Sequence, residues 1–175
     1  MHFTTPITEL KPIKQDKKMD YQKILVSIDR TPQAEFVFRQ GVELAKLYES
    51  QLKLFHCISV SPMILGSPGD LYGQRLNQVA QIQHELIDKE IDEVSGWLST
   101  FISYAERQGV TIETEYQVGE AGYWIREMTQ KWGADLVIVG RRNRSELAEL
   151  FLGSVSNYVV HHVKCSVLIV QQPEN

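Results

Sequence analysis

Lys23-Ile24-Leu25-Val26-Ser27-Ile28, closed by Asp29, is the stretch that decides the fold. It is short, apolar at both alternating sets of positions and rich in β-branched residues, which predicts a strand buried on both faces. Thr31-Pro32 follows at once. Thr31 reads as a helix N-cap, and Pro32 suits the first helical position. Phe36, Val37, Gly41, Leu44, Ala45 and Tyr48 then recur at helical spacing. Strand, tight turn and helix together make the first half of a βαβ unit.

The same alternation runs outward to the end of the chain. A second strand is expected over 51–58, carrying Leu52, Leu54, Phe55, Cys57 and Ile58. A Pro- and Gly-rich loop over 61–73 separates it from a long helix, 74–108, in which Gly96 marks a bend and after which Gly109 ends the turn. Alternating Ile112, Thr114, Tyr116 and Val118 predict a third strand over 110–118. A helix over 121–132 is stopped by Gly133, and Leu136-Val137-Ile138-Val139 reads as the fourth strand. An Arg-rich loop leads to Gly153-Ser154, which opens a helix reaching His162, and Val167-Leu168-Ile169-Val170 is the fifth strand. Strands alternating with helices predict an α/β fold: a doubly wound, five-stranded parallel sheet with helices on both faces.

Composition bounds the function. The chain has 175 residues, 43% apolar and 23% charged, as in an ordinary globular protein. Its net charge of −4 argues against a nucleic-acid partner, because the basic residues gather only locally, at Arg141, Arg142 and Arg144. Cys57 and Cys165 lie far apart in apolar runs and read as buried free thiols of a reducing, cytoplasmic compartment. No run is long enough to cross a membrane, and the start of the chain lacks the apolar core of a signal peptide. Residues 1–19 are expected to form a flexible tail, with Met19 as an alternative start, and 20–172 a single domain.

In such folds ligands bind outside the carboxyl ends of the strands, where strand order reverses. The residues leaving those ends are Asp29, Ser59, Gly119-Glu120 and Gly140-Arg141-Arg142-Asn143. The stretch from Gly140 to Ser154 is the most informative. Exposed amides and the positive dipole end of a helix starting at Gly153-Ser154 favour an anion. Glycine lets a phosphate approach the backbone, Ser154 adds a hydroxyl, and the arginines add charge. The stretch is not a Walker A loop, since no GxxxxGK[ST] occurs.

The spacing Gly140, Asn143, Gly153, Ser154, with nine residues between the second and third, resembles the G-x2-G-x9-G-[S/T] pattern of the universal stress protein family. The resemblance extends over about 19–170 and includes the opening strand with Asp29, Leu54-Phe55-His56-Cys57-Ile58, and the closing run from His161 to Val170. It implies the adenine nucleotide alpha hydrolase-like arrangement and a bound ATP, ADP or AMP, with Mg²⁺ held through the phosphates. It implies that Asp29 lies beside the ribose, that Ser27 and Ile28 also contact the nucleotide, and that the backbone at Cys57 meets the adenine. Gly140, Arg142, Asn143, Gly153, Ser154 and Val155 would line the ribose and phosphates. It also implies a regulatory homodimer in stress response, paired through the C-terminal strand and acting on an unidentified partner protein. Bound nucleotide is expected to order the loops over 62–73 and 141–152. Asn143 departs from the family pattern, which has glycine there. Asparagine is the best non-glycine residue at positive φ, yet its side chain narrows the space beside a phosphate. A nucleotide-free dimerising interaction module is therefore the alternative, and a slow ATPase a third.

The other candidates have plainer readings. Asp29 also suits a cap for the helix after it, and His161 and His162 suit a helix C-terminus rather than a metal site. His56 reads as a sheet histidine, and Trp97, Trp124 and Trp132 as parts of apolar helix faces. No nucleophile has an evident base, so efficient hydrolysis is not expected.

Overall fold

The computed structural model describes residues 21–59, 74–141 and 153–171. In chain order these form β1 (Lys23–Ile28), α1 (Ala34–Tyr48), β2 (Gln51–Ile58), α2 (Gln74–Arg107), β3 (Ile112–Val118), α3 (Ala121–Trp132), β4 (Leu136–Gly140), α4 (Ser154–His162) and β5 (Ser166–Val170). The strands form one parallel sheet in the order β3-β2-β1-β4-β5. The chain therefore steps outward from β1 to β3, then returns to the other side of β1 for β4 and β5. The reversal lies between β1 and β4, and opens a crevice at their carboxyl ends.

Why β1 reads as an unbroken apolar run is now clear. Ile24, Val26 and Ile28 pack on one face with α1 and α2, where Phe38, Val42, Leu98 and Phe101 are buried. Leu25 packs on the opposite face with α3 and α4, beside Phe55, Ile125, Met128, Val137 and Val159. Removing such side chains from water stabilises the fold by roughly 1.5–3 kcal/mol each. Phe38 packs edge-on to Phe101 and Tyr104, with ring centroids 4.8 and 6.1 Å apart. One lysine is also tolerated inside. Lys53 of β2 places its ammonium 3.2 Å from both Glu113 and Glu115 and 5.2 Å from the centre of the Trp132 ring, so its charge is matched where water is scarce.

The start of α1 differs from the sequence expectation. Thr31 and Pro32 are not its N-cap and first residue; the helix begins at Ala34, after Gln33. The Thr31 hydroxyl donates instead to Asp29 Oδ1 at 2.6 Å, and the Thr31 carbonyl accepts from Ala34 N at 3.0 Å. A tight turn thus intervenes, and Thr31 stands two residues ahead of the N-cap position at Gln33, too early to cap the helix. Gly96 lies within uninterrupted α2. β3 begins two residues later than its alternation suggested, at Ile112.

Candidate functional site

A cavity of about 230 Å³ opens at the strand carboxyl ends, over the reversal between β1 and β4. Its floor comes from β1 and β4, where Ser27, Ile28, Val139 and Gly140 end the buried strands. Asp29 leaves β1 directly into it and is held by the Thr31 hydroxyl. Cys57 and Ser59 extend the wall from β2, and Gly119 and Glu120 from the end of β3. Gly153, Ser154, Val155 and Ser156 close the far side.

Local sequence explains each placement. Gly140 is the last residue of β4, and a Cβ there would stand 3.0 Å from Val37 Cγ2 and 3.9 Å from Gln33 Oε1. The missing side chain lets the first turn of α1 lie directly against β4, which brings Gln33 and Val37 to the cavity wall. Gly153 has φ 84° and ψ 151°, a conformation that L residues adopt at a cost of about 1–3 kcal/mol. The first intrahelical bond after it runs from Asn157 N to the Gly153 carbonyl at 2.9 Å. The amides of Ser154 and Val155 thus precede the hydrogen-bonded ladder and point along the helix axis out of its N-terminus. The arrangement suits an anion at this end. Arg141 lines the same end, anchored by its own N–H to the Val170 carbonyl at 2.8 Å and by Nη1 to Gln171 Oε1 at 2.8 Å.

The opposite end is less basic. Glu120 caps α3 by position but makes no side-chain cap hydrogen bond, and it is exposed. Cys57 donates its S–H to the Gly119 carbonyl at 3.2 Å. Burial, reinforced by the Glu120 charge, pushes the Cys57 thiol up to about 11. It is therefore protonated at neutral pH and is no nucleophile. Alkylation of Cys57 by iodoacetamide at pH 8 is expected to run roughly 100-fold slower than that of a free thiol, rising with pH; peptide mass mapping reads it.

Beneath the floor, His56 is buried at 4% exposure. Its Nδ1–H donates to the Ile28 carbonyl at 2.9 Å, and its ring meets Trp97 edge-on, with centroids 5.2 Å apart. Burial lowers its pKa, aided by the Arg30 charge and opposed by the Ile28 bond and by Asp29 and Glu90. An unfolded histidine then takes up a proton more readily than the folded one, so stability is full above about pH 6.5 and falls as pH drops towards the folded value. The slope from this one residue is at most about 1.4 kcal/mol per pH unit. Urea midpoints at pH 7.5 and 5.5 are expected to fall further apart in the parent than in His56→Phe; equal differences would assign the acid sensitivity to other groups.

Of the residues singled out by sequence, the structure brings Ser27, Ile28, Asp29, Cys57, Gly140, Gly153, Ser154 and Val155 to one cavity. Arg142 and Asn143 lie outside the described residues, as do the loop over 62–73 and most of that over 141–152. Sequence reasoning named Glu120 and Arg141 only as residues leaving strand ends, Arg141 as a source of positive charge, and did not select Gln33 or Val37. Glu120 carried a signal, an acidic residue at a strand's carboxyl end, whereas Gln33 and Val37 reach the wall only because Gly140 admits α1. His162 ends α4 and donates Nδ1–H to the Tyr158 carbonyl at 2.8 Å, as a helix C-terminal residue should. Among the described residues, no group of three His, Cys, Asp or Glu side chains is placed to hold a metal ion, and no helix is long and apolar enough to cross a membrane.

Comparison with known proteins adds ancestry to this geometry. The model of the universal stress protein family matches residues 20–171. The chain is 44% identical over 153 residues to universal stress protein Sll1388 of Synechocystis sp., covering 87% of this chain and 99% of that one. Among solved structures, UspA from Lactobacillus plantarum superposes with a TM-score of 0.70 at 20% identity, covering 86% of this chain and 97% of that one. A universal stress protein in complex with cAMP superposes at 0.61 with 22% identity, covering 87% and 98%. One from Archaeoglobus fulgidus in complex with dAMP superposes at 0.57 with 21% identity, covering 86% and 98%. At these identities the structural likeness establishes the fold.

Proposed function

This chain belongs to the universal stress protein family, and from that premise we propose that it binds an adenine nucleotide in the crevice at the strand carboxyl ends and acts as a cytoplasmic regulatory homodimer in stress response. The observation that carries the reading is the convergence of Asp29, Cys57, Gly140 and the Gly153–Ser154 helix start on one cavity. Related structures hold cAMP and dAMP, which supports an adenine nucleotide as the class of ligand.

In this reading the ligand lies across the reversal between β1 and β4. Ser27, Ile28 and Asp29 flank the ribose, and the backbone at Cys57 meets the adenine edge. The phosphates of ATP, ADP or AMP reach the amides of Ser154 and Val155, with Gly140, Arg142 and Asn143 along the way. Glu120 at one end and Arg141 at the other give the cavity a polarity that aligns with a neutral base and an anionic tail. Among the described residues, the carboxylates lining the cavity are those of Asp29, already engaged by Thr31, and the rim residue Glu120. A Mg²⁺ ion would therefore take its ligands chiefly from the phosphates. β5 pairs with β4 on one side, and its other edge offers backbone groups to a second copy.

Acid-quenched supernatant of the purified protein, run on ion exchange, tests the reading. The expected result is a co-purifying adenine nucleotide, or a thermal shift with millimolar ATP and Mg²⁺. No nucleotide and no shift would refute it. Asn143 in place of the family's glycine favours the second reading, a nucleotide-free interaction module. Binding that appears only in Asn143→Gly would establish that alternative. Phosphate release lost in Asp29→Ala at unchanged binding would instead identify a slow ATPase.

A further inference from the structure

We propose that Gln33 is a specificity-determining residue of the crevice, whose carboxamide recognises, together with the Asp29 carboxylate, the two adjacent hydroxyls of the nucleotide's ribose. The inference rests on the nucleotide reading and deepens it, by naming the part of the ligand that this chain selects.

The place of Gln33 is set by its backbone. The turn closed by Ala34 N on the Thr31 carbonyl at 3.0 Å carries it, and its own carbonyl accepts from Val37 N at 3.0 Å as α1 begins. Its φ of −77° and ψ of −15° are helical, yet its side chain makes no cap hydrogen bond. The side chain lines the cavity instead, half-buried. Gln33 Oε1 stands 3.9 Å from where a Cβ on Gly140 would be, so the carboxamide lies over the end of β4. Among the described residues, no partner engages that carboxamide. Asp29 lines the same cavity from the start of the same turn, with Oδ1 taken by the Thr31 hydroxyl. Gln33 thus presents a polar group to the crevice from a fixed backbone, and its bonding capacity is left to a ligand.

The chemistry of the group decides which part of the ligand it meets. The anionic tail needs donors, and the helix start at Ser154 and Val155 with Arg141 supplies them at the far side of the cavity. A ribose diol needs something else, because each hydroxyl both donates and accepts. An ionised carboxylate such as Asp29 only accepts, so it takes one hydroxyl proton and leaves the other. A carboxamide presents a carbonyl and an N–H side by side. Its carbonyl accepts the second hydroxyl proton, and its N–H donates to the oxygen whose proton went to Asp29. Both hydroxyls are then satisfied by two side chains, and no charge is added beside the anionic tail. A ligand without the diol leaves the Gln33 carboxamide half-buried and unbonded against the ligand, which lowers its affinity.

Calorimetric titration of the full chain with ATP and with 2′,3′-dideoxy-ATP, each with Mg²⁺, tests the assignment. The parent is expected to bind ATP roughly tenfold more tightly than the dideoxy analogue. Gln33→Met keeps the length and bulk of the side chain and both backbone bonds, and removes only the amide. It is expected to weaken ATP about fivefold while dideoxy-ATP stays within about twofold, so the discrimination shrinks. Gln33→Ala is expected to narrow the ratio in the same way. The ratio separates recognition from support, since a merely structural role would weaken both nucleotides alike. Equal affinities in the parent, an equal loss of both in Gln33→Met, or a ratio unchanged in both variants would overturn the diol assignment and leave the nucleotide reading standing. A parent that binds neither nucleotide would overturn both.

Discussion

Gly153→Val is expected to abolish the thermal shift given by ATP and to weaken nucleotide binding by roughly 5- to 150-fold, the equivalent of about 1–3 kcal/mol. Gly153 stands at φ 84° and ψ 151°, immediately before α4. A β-branched residue cannot hold that conformation without strain. The chain relieves the strain by rotating the peptide that leads into Ser154, which turns the leading amides of α4 away from the anion. α4 itself should survive, because Ser156 and Val159 remain buried against the sheet. Circular dichroism should therefore change little while calorimetric binding is lost. Gly96→Ala is the matched control: a Cβ there has no atom within 4 Å, and its φ is ordinary. It should leave affinity untouched and raise stability by up to about 1 kcal/mol through helix propensity. Unchanged affinity in Gly153→Val would remove the helix start from the binding site.

Phe38→Ala is expected to lower stability by about 3–5 kcal/mol, read as a shift in urea midpoint. The ring is 1% exposed and wedged between α1, the sheet and the Phe101 and Tyr104 rings. Against a total stability of about 5–15 kcal/mol, that loss leaves a chain near the edge of unfolding. α1 also supplies Gln33 and Val37 to the cavity wall. Affinity for nucleotide should therefore fall in the same variant, even at temperatures where it stays folded. Phe38→Leu, which retains most of the volume, should recover most of both losses. A loss below about 1 kcal/mol in Phe38→Ala would mean that the α1–α2 layer is not a tightly packed core.

The order of elements was legible because each strand is a short apolar run and each helix a periodic one. β1 and β4 are apolar on both faces since both faces of the sheet are covered, so their two flanking layers could be inferred from a single line of residues. The site was legible as a set of strand ends. Asp29, Gly119, Gly140 and Gly153 stand where a buried strand stops or a helix starts, and that position can be counted along the chain. Thr31 was misread because a Thr-Pro pair suits a tight turn as well as a helix start, and the turn closed by the Ala34 N–H on the Thr31 carbonyl moves the first helical residue from Pro32 to Ala34. Lys53 gave no sign of being buried, since its two carboxylates and Trp132 come from other elements.

The linear sequence by itself determined the kind of elements, their succession and hence a parallel, doubly wound sheet, because periodicity and backbone stereochemistry are local properties. Only the tertiary structure decided that Gln33 and Val37 share a cavity with Gly153 and that Cys57 is held protonated. Those facts depend on which surfaces meet and on how far charge is removed from water, and both are set by packing between residues remote in the chain.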